Sequence, residues 1–323
     1  MTKTSEEFEK QIKRIHDVLV QDTAVVTWND KIPDPHNPKQ SRQIDITIKK
    51  ESEIIHIECR DHKEPQNTKW IEELFGRKVS LQATAMIAVS SSGFTEGAII
   101  KAKALGVYLC DLKNLEAEEI LSWGKKTVIT FSYYKFSNLK ISFFLDSIKG
   151  ISSEEAQKGI FSKPEYMDIL FNQIKYQFNK DNDFIFPYGF QFGKIECGNI
   201  EILDREVKGL SLRGDVDIIN FDYECPTFQS FQTPSKDNNL IACVEKTDNS
   251  QIEIIKSKSG FSKIFIDLSV IPDCPPNSVF AGKITVSKLV GSKKYPPQFE
   301  LIGSQEKEVF INEAEFVLAE LKK

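Results

Sequence analysis

At 323 residues, with 40% hydrophobic and 28% charged side chains, the chain is long enough for two domains that each bury a core. Its formal net charge of -5 is spread evenly, with 17 basic and 20 acidic residues in 1–124, which excludes a polybasic binder and leaves any nucleic-acid contact to a local patch. No apolar run approaches the about 20 residues of a membrane helix, and the six cysteines form no CxxC pair or metal-finger spacing; with a polar start and no signal peptide, the expectation is a reduced, cytoplasmic protein without membrane contact.

The first segment, SEEFEKQIKRIHDVLV, sets Phe8, Ile12, Ile15 and Leu19 at helical spacing, with Ser5 placed to cap the helix. A strand follows at 24–28, then NDKIPDPHNPKQ, whose prolines and polar residues predict an irregular loop. Two strands at 43–48 and 54–60 are joined by the polar turn KKESE. TKWIEELFGRKVSLQA reads as an amphipathic helix, AMIAV as a strand, SSSGFTE as a turn, GAIIKAKAL as a helix and VYLCDL as a strand. The order strand–helix–strand implies a parallel crossover.

Beyond about Trp123 the rhythm changes to short alternating runs rich in phenylalanine and β-branched residues, such as TVITFSYYKF, DVDIINFDY, NLIACVE and KIFIDLSVI. These predict an antiparallel sandwich or barrel. A helix is expected at 162–178, with a capping box in Ser162 and Glu165, and a last helix in NEAEFVLAEL. The fold class expected is therefore an α/β core with helices flanking a mixed central sheet, residues 1–124, followed by a β-rich second domain, residues 125–323. The boundary falls at LSWGKK, 121–126.

Chemistry concentrates in RQIDITIK and IECRDHK. Strand alternation puts Gln43, Asp45 and Thr47 on one face of the first strand, and His56, Glu58 and Arg60 on one face of the second. If the strands pair as a hairpin, those faces coincide and Asp45 approaches Glu58. Two carboxylates so placed repel unless a cation lies between them, and oxygen ligands suit magnesium. The plainer reading is a half-solvated strand pair whose charges form surface salt bridges.

The succession of helix, strand, strand with Asp, strand with Glu-x-basic, helix and strand resembles the PD-(D/E)xK restriction-endonuclease-like fold. Residues 6–112 resemble the Mrr-type restriction endonuclease domain through EEFEKQI, RQIDI, IECRDHK, WIEELFGRK and VSSSGFTEGAIIKAKALGVYL, about one third of the chain. The resemblance implies that Asp45, Glu58 and the backbone carbonyl of Cys59 hold magnesium, with manganese as its substitute, and that Glu9 stands near the metal. Arg60 occupies the usual lysine position. It cannot act as a base, but it can steady charge on phosphorus; Lys63 and Lys78 are alternative sources of the cation. Lys39, Arg42 and Arg77 are candidate phosphate contacts.

The implied function is a metal-dependent endonuclease acting on double-stranded DNA in restriction or phage defence. The alternative is a catalytically inactive nuclease-fold module for nucleic-acid binding or assembly, which the arginine at 60 favours. Cutting both strands favours a symmetric homodimer, and the β-rich half is left with an unknown ligand or partner. Elsewhere, His16, His36, His56 and His62 lack zinc-ligand spacing, SSSG lacks a P-loop lysine, and Asp215 with Asp217 reads as a solvated strand face.

Overall fold

The computed structural model describes residues 3–115, 127–163, 165–166, 168–170, 172, 176, 189–195, 200–234, 239–273, 275, 278–287, 296–303 and 315–320. It opens with helix α1 (Lys3–Val20), which buries Phe8, Ile12, Ile15 and Val18 along one stripe. Ser5 lies inside this helix, not at its cap, and its hydroxyl bonds to Glu9 one turn on.

Strands β1 (Val25–Asp34) and β2 (Asn37–Lys50) then form a long antiparallel hairpin. The stretch expected as an irregular loop is the far end of that hairpin. Asp34 Oδ1 accepts from the N–H groups of His36 and Asn37 at 2.8 and 3.2 Å, which makes the turn. Pro33 pairs opposite Ser41 on the sheet's edge strand, a place where a missing N–H is tolerated.

Strand β3 (Glu53–Arg60) returns antiparallel to β2. Helix α2 (Thr68–Ser80), strand β4 (Ala85–Ser90), helix α3 (Glu96–Leu105) and strand β5 (Tyr108–Asn114) complete the expected crossovers, with β3, β4 and β5 parallel. Asn67 caps α2 by accepting from the Trp70 N–H, and Thr95 caps α3 by accepting from Ala98. One core joins α1 to Ile46, Ile48, Ile57, Cys59 and Val89; another joins Trp70, Ile71 and Leu74 of α2 to Met86, Ala88, Ala98 and Ala102. On β3, His56 and Glu58 are buried along with Ile57 and Cys59, while Ile54 is exposed. This corrects the half-solvated strand pair weighed from the alternation.

Further along lie β6 (Thr127–Leu145), α4 (Ser153–Phe161), β7 (Phe190–Ile195), β8 (Glu201–Ile202), β9 (Arg205–Glu206), β10 (Gly209–Cys225), β11 (Thr227–Gln232), β12 (Leu240–Lys246), β13 (Ile252–Ser257), β14 (Ser262–Asp267), β15 (Ser278–Val286), β16 (Gln298–Ile302) and β17 (Glu315–Glu320). β11 pairs antiparallel with β5, placing Phe231 opposite Leu112. β12, β13, β14 and β16 carry the sheet on to ten strands among the described residues. Phe231, Ala242, Val244, Ile255 and Phe265 enter the same core as α1.

Each of the two compact units is consequently discontinuous in sequence. One comprises 1–128, 224–270 and 286–303, and the other 129–223, 271–285 and 304–323. The contiguous division into 1–124 and 125–323 does not describe them, because strands about a hundred residues downstream complete the first sheet and its core. The expected boundary at 121–126 lies outside the described residues.

In the second unit β6 and β10 are central, flanked by β15, β7 and β17. Phe136, Ile141, Phe143 and Leu145 pack with Ala156 and Ile160 of α4. The observed capping box is Ser152 with Glu155; Ser162 is the C-cap of α4, and the helix expected at 162–178 lies partly outside the described residues. The final helix expected in NEAEFVLAEL is instead β17, parallel to 140–145 of β6. Pairing with a strand distant in sequence outweighs the weak helical preference of six residues.

Two outcomes follow. A chain ended at residue 124 fails to fold as a unit, seen as lost near-ultraviolet circular dichroism, and Phe231→Ala in the full chain costs about 3–5 kcal/mol in urea unfolding. His16, fully buried edge-on to Phe231 with ring centroids 5.6 Å apart, has its pKa lowered to about 4 by burial. The unfolded chain takes up that proton near pH 6.5 and the folded chain resists it. Stability is then full above about 6.5 and falls by about 3 kcal/mol from this residue as the pH drops to about 4. His16→Leu should flatten that part of the pH dependence of the urea midpoint.

Candidate active site

The ladder between β2 and β3 runs from the Lys50–Glu53 pair to the Ile46–Ile57 pair and stops there. Continuing that register sets Asp45 across from Glu58. The Cys59 N–H donates to Asp45 Oδ2 at 2.8 Å, so the carboxylate takes the place of a further backbone rung. Glu9 joins from α1, held by the indole of Trp28, whose Nε1 donates to Glu9 Oε2 at 3.2 Å. Trp28 stands opposite Ile46 on β1, so the hairpin aims the indole at α1. Glu9 and Glu58 are 2% and 8% exposed.

Burial makes these acids reluctant to ionise. The Glu58 carboxyl is pushed up to about 7, by burial first and then by the charge of Asp45, against the opposing pull of Arg77. Glu9 is likewise raised to about 7, by burial and then by Asp45. Burial raises Asp45 too, while the Cys59 N–H, Arg77 and Arg60 act to lower it. Three carboxylates from three elements thus share one electrostatic site that favours added positive charge.

The nearest cation is Arg77, from the last turn of α2, whose Nη1 lies 2.5 Å from Glu58 Oε1. Arg60 is held differently. Its guanidinium lies 4.5 Å over the Trp70 ring, donates from Nη1 to Gln66 Oε1 at 3.2 Å, and stands 3.6 Å from Glu73 Oε2. Burial lowers its pKa, against the pull of Glu73 and Glu58. The bonds of Gln66 fix that side chain in turn, since its Nε2 donates to the Glu64 carbonyl at 3.0 Å. A cleft of about 550 Å³ opens here, lined by Glu58, Arg60, Trp70, Glu73, Arg77 and Arg42 among others.

The structure brings Glu9, Asp45, Glu58 and Arg77 together and sets Arg60 beside them. Arg42, expected as a phosphate contact, is paired with Asp34 at 2.7 Å and holds that carboxyl below its usual range. Lys39 is exposed on the hairpin, and Lys63 is exposed in the loop after β3. Lys78 donates to the Gly106 carbonyl at 3.3 Å, at the end of α3. Arg77 is the residue whose place the sequence did not reveal. Its spacing from Trp70 and Leu74 puts it near the inner face of α2, but Lys78 shares that property, and spacing does not say which flank meets β3.

Among the described residues, no three His, Cys, Asp or Glu side chains are gathered closely enough to hold a metal ion by themselves. The oxygen donors of Asp45 and Glu58, with the Cys59 carbonyl on the same strand, are of the kind a hard divalent cation takes. The raised carboxyls fit the approach of such a charge.

Residues 35–118 match the family model Mrr_cat, restriction endonuclease, a segment that contains Asp45, Glu58, Arg60 and Arg77. No curated protein matches the chain. Among solved structures, one titled "Crystal Structure of Protein of Unknown Function AF1548" is similar at 18% identity over 32% of this chain and 56% of that chain, with a TM-score of 0.28.

Asp45 is the largest charged contributor to the raised carboxyls of both Glu9 and Glu58. Asp45→Asn should therefore lower both pKa values, read from carboxyl carbon-13 shifts during an NMR pH titration. If neither moves, the three acids do not form one site.

Proposed function

We propose that this protein is a metal-dependent endonuclease that hydrolyses phosphodiester bonds in double-stranded DNA, in restriction or phage defence. The observation that carries the reading is the convergence of Glu9, Asp45 and Glu58 beside a cleft that holds Arg60 and Arg77. The restriction endonuclease match over 35–118 supports it. Asp45, Glu58 and the Cys59 carbonyl would hold magnesium, or manganese in its place. Such an ion supplies Lewis acidity and a water activated near neutral pH.

The chain's own groups do the rest. Trp70 and Gln66 hold the Arg60 guanidinium in one orientation, so its donors can meet a phosphate oxygen with little reorganisation. A guanidinium keeps its proton at working pH, so Arg60 stabilises charge and does not serve as a base. Glu9, with its carboxyl near 7, can hold or release a proton beside Asp45. Cleaving both strands favours two copies related by a dyad.

A second reading, a nuclease fold that binds nucleic acid without cutting it, is favoured by the same ion pair that occupies Glu58. Plasmid cleavage with magnesium or manganese separates the two. In the endonuclease reading, Asp45→Ala and Glu58→Ala abolish cleavage and keep the native circular dichroism spectrum. Arg60→Ala slows single-turnover cleavage roughly a hundred- to thousandfold and Arg60→Lys retains part of the rate. A folded, fully active Asp45→Ala protein rules out this site, and a wild type inert on every duplex leaves the binding module.

A further inference from the structure

We infer that Arg77 is an exchangeable counter-cation: it neutralises Glu58 until a divalent ion arrives, then turns to the phosphate backbone of the bound duplex. The inference rests on the reading that Asp45 and Glu58 hold the ion.

The geometry leads there in three steps. First, Glu58 is only 8% exposed, and a buried carboxylate is stable only when neutralised, by a proton or by a partner. Arg77 supplies that partner at 2.5 Å. Second, the guanidinium engages one oxygen of the Glu58 carboxylate, Oε1. Arginine and a divalent cation therefore compete for one carboxylate.

Third, Arg77 has somewhere to go. Its side chain is 40% exposed while that of Glu58 is 11% exposed, so the pair lies at the wall of the cleft with the arginine on the open side. The cleft measures about 550 Å³, and its lining includes Arg42 and Arg60. Gly76, the preceding residue, has nothing within 4 Å of where a Cβ would stand, so the adjoining helix surface is open. Displaced from Glu58, the guanidinium stays attached to the rigid last turn of α2. It then adds a second fork-shaped donor group, beside Arg60, to a surface where phosphate oxygens would be held.

Competition of this kind couples the two ligands. A phosphate that draws Arg77 away from Glu58 makes room for the cation, and a cation on Glu58 frees Arg77 for phosphate. By linkage each tightens the other by the same factor. A cation site that is weak alone and strong on DNA follows from one side chain serving both.

The test measures calcium binding by calorimetry, calcium being an oxygen-seeking ion used here to limit turnover, with and without a duplex oligonucleotide. The proteins are wild type, Arg77→Gln, Arg77→Lys and Glu58→Gln, with thermal melting to check that each is folded. In wild type, DNA should tighten calcium binding, within the about 5–150-fold range of coupled sites. Arg77→Gln should bind calcium more tightly than wild type without DNA and lose most of the coupling, with Arg77→Lys between. Calcium binding to wild type that Glu58→Gln abolishes but Arg77→Gln leaves unchanged or weaker overturns the role of Arg77 and keeps the metal site. Wild type that binds no calcium or manganese in either condition, like Glu58→Gln, overturns the metal reading and this inference with it.

Discussion

The contact between Glu58 on β3 and Arg77 on α2 organises the site because the Glu58 carboxylate is nearly buried at the wall of the cleft. Acids so far withdrawn from solvent each need a proton, a hydrogen-bond donor or a cation. Asp45 uses a donor, the Cys59 N–H; Glu58 uses a cation. Glu9 uses the Trp28 indole and a raised pKa. The three solutions sit side by side, and each depends on a different element of the same unit.

That arrangement explains why one acid sits at the end of a ladder and not within it. Inside the antiparallel pairing of β2 and β3 the Asp45 carboxylate would have no backbone donor to meet. Past Ile46 and Ile57 the ladder ends and the Cys59 N–H becomes available to a side chain. The opening of the hairpin therefore places two acids at adjoining positions and supplies the hydrogen bond that keeps one of them ordered.

The sheet's continuation has an equally physical basis. β5 has a free edge once β4 is paired, and α1 reaches β11 and β13 through Gln11, which donates to Gln229, and Arg14, which pairs with Glu253. β11 through β14 cover both, and His16 of α1 meets Phe231 of β11 edge to face. An exposed edge beside an uncovered apolar stripe would invite association with other chains. Completion from within the chain removes that exposure, at the cost of making the unit discontinuous in sequence.

How much of this was legible in the sequence depends on how local each feature is. The alternation of Ile44, Ile46 and Ile48 with Asp45 and Thr47, the spacing of Phe8, Ile12 and Ile15, and the caps at Asn67 and Thr95 are set by neighbouring residues. The first five strands and three helices could accordingly be read from sequence alone, apart from the far end of the β1–β2 hairpin. The prolines of 33–38 misled because proline's meaning depends on whether its strand lies at an edge, and that is a property of the sheet. NEAEFVLAEL misled because its partner lies about 175 residues upstream. The same limit holds for Arg77: helical spacing placed it near the inner face of α2, beside Lys78. Only the placement of the last turn of α2 beside Glu58 decided which of the two basic residues would meet it, because a salt bridge forms by proximity in space and no local pattern records it.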